Sequence, residues 1–325
     1  MEVSNDMAEP VPVIGASLRR QRVRGAVVLA ACADALGEPF EGRRNIDPEW
    51  VAAEVDKSAP SMRWTDDTAQ MLVLATHLAR HDGRIDADAL AVELAAAWAD
   101  EPWRGYGPGA AKMLEEIHSG DPWGEAVTSA FGGTGSLGNG AAMRVAPVGL
   151  IAGLDLDAVA ETAAVSASVS HSHPQGGDGA VAQAVAVALA ARGDGAHRLS
   201  PKDFIAAVTA HTATDEFAAA LRAVPAMVDG PSAGIADRFA CDATALGAVP
   251  ASIAVFLRRP DDPVAAVAEA IGLGGDTDTI AAMAAALVGA RCGEAAIPPR
   301  WGRRLEQSTR VWTVARQLAG LELHR

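Results

Sequence analysis

Between Ile280 and Ala290 the chain runs IAAMAAALVGA, eleven residues without one polar side chain. A helix that is apolar all round must be covered all round, so this segment belongs at the centre of a packed domain or in a bilayer. It falls short of the ~20 residues a membrane span needs, as does the other long apolar run, 26–33. Half of the 325 residues are hydrophobic, yet only 4% are aromatic and much of the apolar content is alanine. Alanine is the best helix former and a depleted strand residue. Period-2 alternation, heptads and fixed-period repeats are absent. The expectation is one all-α domain of closely packed helices.

Residues 1–22 are expected to be a flexible N-terminal segment and 23–325 the domain. From Gly25 a buried helix stops at Gly37 and Pro39. Further helical patterns run over 68–81, 86–99, 108–119, 141–152, 156–169, 178–192, 202–211, 215–227, 246–257, 263–272, 279–291 and 302–320. Asp47-Pro48 and the SAPS stretch mark 43–64 as irregular.

The formal net charge is −14. Acidic surface is a poor match for general nucleic-acid or anionic-membrane binding. It does not exclude a small anionic ligand held by metals and helix N-termini. The three cysteines are far apart, form no CxxC pair and are expected as buried free thiols in a reducing compartment. No apolar segment of signal-peptide type follows the first basic residues. A soluble, cytoplasmic protein is expected.

Two helix starts carry more acid than capping requires. Thr65-Asp66-Asp67-Thr68 precedes one apolar helix, and Asp276-Thr277-Asp278-Thr279, behind Gly274-Gly275, precedes another. One Asp or Thr suffices as an N-cap, and taken singly each cluster reads as a capping cluster. Together they suggest convergence: four carboxylates in one small volume stay ionised only around a cation. All-oxygen ligands select a hard ion, Mg²⁺ or Mn²⁺, and four carboxylates suit a dinuclear site.

Three further segments fit such a centre. Gly138-Asn139-Gly140 opens a helix with N–H groups suited to phosphate, and Met143-Arg144 follows. Arg144 reads equally as an anion ligand or a structural ion pair. In SVSHSHPQGG, His171 reads as a neutral hydrogen-bonding residue or as a residue satisfied at a helix start; with no cysteine nearby, zinc is disfavoured. Tyr106-Gly107, in RGYGPG, holds the only tyrosine of the chain. It reads as a ring over a ligand or as a turn packed on the core.

The segments GAVVLAACADALGEPFE, TDDT, RGYGPG, GNGAAMR, SHSHP and GGDTDTIAAMAAALVGA, in this order over residues 25–291, resemble the ADP-ribosylglycohydrolase family. The resemblance implies a single orthogonal bundle of many helices and a site for two Mg²⁺, with Mn²⁺ possible. It assigns metal ligation to Thr65, Asp66, Asp67, Asp276, Asp278 and Thr279. It gives catalytic roles to Glu41, Asp66 and Asp276, with Glu41 reaching the site from a mobile loop. Tyr106, Gly107, Gly138, Asn139, Gly140, Met143, Arg144 and His171 become the substrate-binding set. Ala33 departs from the glycine the family usually carries there, while Asp34 and Gly37 remain. The implied activity is hydrolysis of ADP-ribose from a modified protein or small-molecule conjugate by a monomeric enzyme. Arginine is the first choice of acceptor, with Asp100 and Glu101 as possible guanidinium partners. Alternatives are an O-linked acceptor (serine or acetyl among them) and a non-catalytic ADP-ribose binder.

Overall fold

The computed structural model describes residues 15–44, 46–57, 62–151, 153–193 and 199–321. Among these residues there are eighteen α-helices and no strand beyond two isolated bridges. In chain order they begin with α1 Ala16–Gly37, α2 Pro48–Lys57, α3 Asp66–Arg80, α4 Ala87–Asp100, α5 Pro108–His118 and α6 Trp123–Ser129. The middle set is α7 Gly140–Arg144, α8 Ala146–Gly149, α9 Leu156–Ser168, α10 Pro174–Arg192, α11 Pro201–Thr209 and α12 Asp215–Ala223. The last are α13 Ala233–Arg238, α14 Ala245–Arg258, α15 Pro263–Gly272, α16 Thr277–Cys292, α17 Pro299–Arg304 and α18 Ser308–Ala319. The all-α expectation is met. No described helix is long and apolar enough to cross a membrane. All three cysteines are free.

The apolar segment lies where its composition requires. α16 is buried from Thr277 to Arg291 and is surrounded by α1, α10, α14 and α15. Its tightest partner is α1, which runs antiparallel along it. At one end a Cβ on Gly289 would stand 2.4 Å from the Gly25 carbonyl oxygen, and at the other a Cβ on Gly37 would stand 2.5 Å from Asp278 Cα. Glycines at both ends let the two backbones touch, and Thr277 Oγ1 donates to the Gly37 carbonyl at 2.9 Å. This contact sets where the acidic start of α16 stands relative to α1. Gly289→Ala is therefore expected to lower stability by about 2 kcal/mol or more, as overpacking against rigid backbone does. The urea midpoint measures it.

Several local expectations are corrected. α1 begins at Ala16, so residues 16–22, expected to be loose, form its first two turns; residues 1–14 lie outside the described residues. Within the stretch expected to be irregular, 48–57 is α2: Pro48 opens the helix at its first position instead of breaking it. The pattern over 141–152 divides into α7 and α8, because Pro147 starts a second helix behind Val145. The pattern over 302–320 divides into α17 and α18, with Gln307 left-handed between them. The short helices α6 and α13 had no counterpart in the sequence reading.

Candidate active site

The two acidic helix starts converge. Glu41, Thr65, Asp66, Asp276, Asp278 and Thr279 line one cavity of about 780 Å³, within the range of small-molecule sites. Asp67 lies just behind, accepting from Thr279 Oγ1 at 3.0 and 3.1 Å and thereby joining α3 to α16. Oxygens of Glu41, Asp276 and Asp278 lie within 4.8 Å of one another, and so do oxygens of Asp34, Asp67 and Asp278. Asp278 belongs to both groups.

Each start is held by contacts distant in sequence. Thr65 caps α3 through its hydroxyl, which accepts from the Asp67 N–H. Trp64, 1% exposed, donates from Nε1 to the Glu306 carbonyl and carries the Arg104 guanidinium 3.5 Å above its ring. The Arg104 carbonyl in turn accepts the Asp66 N–H at 2.8 Å. The second start rests on Gly275. Its N–H donates to Arg43 O at 2.7 Å and its carbonyl accepts from the Gly42 N–H at 2.8 Å, which fixes the loop carrying Glu41. Asp276 N–H donates to Cys241 O at 2.9 Å, and Asp276 Oδ2 accepts from Asn139 Nδ2 at 2.6 Å.

Asp34 was absent from the expected ligand set, and it organises the first start. Wholly buried in α1, it accepts the Thr65 N–H at 3.0 Å on either oxygen, the Thr68 N–H at 3.1 Å and the Thr68 hydroxyl. With its oxygens so occupied it braces the turn. The signal was available: a carboxylate inside the apolar run AACADALG must find donors or a cation.

Crowding shows in the proton affinities. Burial, then the neighbouring Asp276, pushes the Asp278 carboxyl up to about 10. Burial, then Asp34 and Asp276, pushes Asp66 up to about 8, and Asp67 is raised by burial and by Asp278. Glu41 is raised by burial and Asp276. A cluster so reluctant to ionise alone is a cluster that a cation would complete. A second group, His77, His81 and Glu93, does not match it. His77 holds Glu93 through Nδ1 at 2.9 Å and accepts the Asp86 N–H at Nε2, so both ring nitrogens are spent joining α3 to α4.

The substrate set is only partly as expected. Gly107, Gly138, Asn139, Gly140, Met143, Arg144 and His171 line the cavity, whereas Tyr106 does not. Its ring packs on the core, and the flanking Gly105 and Gly107 face the space instead. Gly138 and Asn139 spend their N–H groups on Ser136 Oγ and Ala243 O, so two of the three donors expected for a phosphate are taken by the protein itself. Leu137 O accepts from Ala245 N–H, which completes the pairing of the glycine loop with residues 243–245. Among the described residues Arg144 has no carboxylate partner, contrary to its ion-pair reading: it is 1% exposed and donates to Gln70, Ser166 and Ser170. His171 stands over Gly140, with Nδ1 2.7 Å from Ser170 Oγ, and burial pushes it down to about 3, so it is neutral. His173 merely caps α10. Glu101 is spent on Arg104 and Arg310, at 2.6 and 3.0 Å, and neither it nor Asp100 lines the cavity.

At the rim stand two aromatics that the sequence reading passed over, Trp103 and Phe131, 61% and 58% exposed. Phe131 has φ 54° and lies against Gly109, where a Cβ would come within 2.5 Å of the ring. A left-handed phenylalanine costs of order 1–3 kcal/mol, a cost met mostly at functional sites.

An all-α fold around an acid-lined cavity of ligand size, with a glycine loop beside it, defines a class of helical hydrolases. The chain belongs to the ADP-ribosylglycohydrolase family, whose model matches residues 16–325, and is a hydrolase of that family. It is 31% identical to the ADP-ribosylhydrolase ARH3 of Gallus gallus, over 92% of this chain and 91% of that one. With ARH3 of Homo sapiens the identity is 28%, over 90% and 91% of the two chains. An uncharacterized protein of Archaeoglobus fulgidus is 30% identical over 94% and 97%. Among solved structures, the ADP-ribosylglycohydrolase-related protein complex superposes with a TM-score of 0.66 at 24% identity. That match covers 94% of this chain and 99% of the other, in agreement with the all-α fold.

Proposed function

We propose that residues 16–325 act as one unit that hydrolyses the bond between ADP-ribose and an O-linked acceptor, with two Mg²⁺ ions, replaceable by Mn²⁺, as cofactors. The observation that carries the reading is the convergence of Glu41, Asp66, Asp276 and Asp278 on a ligand-sized cavity, with Asp67 just behind them. Thr65, Asp66, Asp67, Asp276, Asp278 and Thr279 would hold the ions. When bound, the ions supply positive charge that fixes ribose hydroxyls and makes a nearby water more acidic.

The chain's own groups account for the rest. Glu41, Asp66 and Asp276 face the cavity as carboxylates able to take a proton from water and to balance positive charge developing at the anomeric carbon. His171 and the glycine loop border the diphosphate, and Met143 supplies apolar contact. Phe131, held in a strained conformation with its ring at the rim, offers a face for a flat base. The O-linked acceptor is preferred over arginine because Glu101, one of two acids expected to meet a guanidinium, is engaged by Arg104 and Arg310. The relatives named ADP-ribosylhydrolase support ADP-ribose as the group released.

Release of free ADP-ribose from serine-linked, acetyl-linked and arginine-linked substrates, in Mg²⁺ and in EDTA, tests this. Release from the O-linked substrates, abolished by EDTA, is expected. Release from the arginine conjugate alone would overturn the acceptor assignment, and EDTA-insensitive release would overturn the metal assignment.

A further inference from the structure

Arg144 poses a problem of its own. A buried guanidinium with no opposing carboxylate among the described residues is costly, and the chain keeps one between α3 and the end of α9. Its terminal nitrogens donate to Gln70 Oε1 at 3.1 Å, Gly140 O at 3.5 Å, Ser166 O at 2.7 Å and Ser170 Oγ at 2.7 Å. Two short chains of hydrogen bonds leave it in different directions.

The first passes through Gln70. Its amide oxygen is taken by Arg144, so its NH₂ faces Asp66 Oδ2, at 3.1 Å. The reversed amide would set NH₂ against the guanidinium and C=O against the carboxylate, which is repulsive at both ends. Arg144 thus fixes the orientation of Gln70, and Gln70 fixes Asp66.

The second passes through Ser170. Its oxygen accepts from Arg144, which leaves one hydrogen and two acceptors: His171 Nδ1 at 2.7 Å and Ala167 O at 3.5 Å. The shorter bond takes the hydrogen. Nδ1 is then the unprotonated nitrogen and Nε2 carries the N–H. Nε2 lies over the glycine loop, 3.3 and 3.7 Å from where Cβ atoms on Gly140 and Gly138 would stand. Gly138, Gly140 and His171 all line the cavity.

We propose that Arg144 is a positioning residue that serves both halves of the site, setting Asp66 through Gln70 and the Nε2–H tautomer of His171 through Ser170. The proposal deepens the ADP-ribose hydrolase reading and rests on it. It explains why an arginine is needed: only a guanidinium delivers several directed donors at once, and lysine offers a point charge.

The test uses the full chain and four variants, Gln70→Met, Ser170→Ala, Arg144→Lys and Arg144→Met. Three quantities are read: Mn²⁺ affinity, ADP-ribose affinity at saturating Mn²⁺, and the tautomer of His171 from its imidazole ¹⁵N shifts, assigned with His171→Gln. Wild type is expected in the Nε2–H form. Gln70→Met should weaken Mn²⁺ by about 10- to 100-fold and leave the tautomer unchanged. Ser170→Ala should mix the tautomers and weaken ADP-ribose by about 3- to 10-fold while Mn²⁺ affinity holds. Both Arg144 variants should move both, with lysine failing to rescue. An Nδ1–H form in wild type, or all three quantities moving together with the melting point in every variant, would overturn the proposal. A wild type that binds neither Mn²⁺ nor ADP-ribose would overturn the functional reading instead, and the ¹⁵N result would still decide the His171 arm.

Discussion

Asp278→Asn is expected to abolish turnover while making the metal-free protein more stable. Asp278 is the carboxylate shared by both oxygen clusters, so its loss should lower activity by more than roughly 100-fold, the upper end of what losing an outer partner of a metal ligand costs. In the metal-free protein the same side chain is a burden, since it is 6% exposed and faces Asp276. Removing it should add about 1–2 kcal/mol, the familiar opposition of stability and function at an active site. The sign of the pH dependence follows. An unfolded aspartate titrates near 3.9. Folded Asp66 and Asp278, pushed up by burial and by neighbouring carboxylates, titrate at about 8 and about 10. Between those limits the folded state holds protons that the unfolded state has released. Stability in EDTA is therefore full below about pH 4 and declines as pH rises through about 8 towards about 10. Cations bind the ionised form, so added Mg²⁺ should restore more stability at pH 8 than at pH 5. Melting curves in EDTA and in Mg²⁺ measure both trends, and Asp278→Asn should flatten them. A destabilised variant, or one that keeps turnover, would remove Asp278 from the centre of the account.

Gly275→Ala is expected to lower turnover by about 100-fold without loss of the helical far-UV signal. Gly275 lies between α15 and α16 and has φ +80°, a conformation that costs an L-residue roughly 1–2 kcal/mol. The larger effect is steric, because its Cβ would stand 1.9 Å from the Cys241 carbonyl oxygen, the acceptor for Asp276 N–H. Something has to move, and every candidate is part of the site. Cys241 retreats and Asp276 loses its anchor, or Gly275 retreats and its two bonds to Gly42 and Arg43 break, releasing the loop of Glu41. A 1 Å misplacement of such groups costs of order 100-fold. Gly177→Ala, where an added Cβ meets nothing within 4 Å, is the control. Equal turnover in the two variants would show that the strap through Gly275 does not set Asp276 and Glu41.

The parts of the site legible in the sequence are those whose physics is local. An over-capped helix start is a property of four adjacent residues, and both TDDT and DTDT announced themselves. An apolar helix without a polar face announces its burial, and α16 is buried on every side. What was illegible depends on partners far away along the chain. Asp34 meets Thr65 and Thr68 more than thirty residues on; Asn139 meets Asp276 instead of a phosphate; residues 241–245 link the glycine loop to the acidic start of α16. Tyr106 shows the converse limit. A ring flanked by glycines looks aimed at a ligand, yet rotation about a few backbone bonds turns it onto the core, and no local pattern distinguishes the two. Pro48 reads as a turn signal and the pattern over 141–152 runs through Pro147, yet both prolines stand in the first turn of a helix, where the ring is tolerated.

The measurement that bears most directly on the central claim is anomalous diffraction from a crystal soaked in Mn²⁺. Two strong peaks are expected between the starts of α3 and α16, flanking the Asp278 carboxylate, and both should be lost in Asp278→Asn. Peaks absent from that space, or centred elsewhere such as between His77 and Glu93, would contradict it.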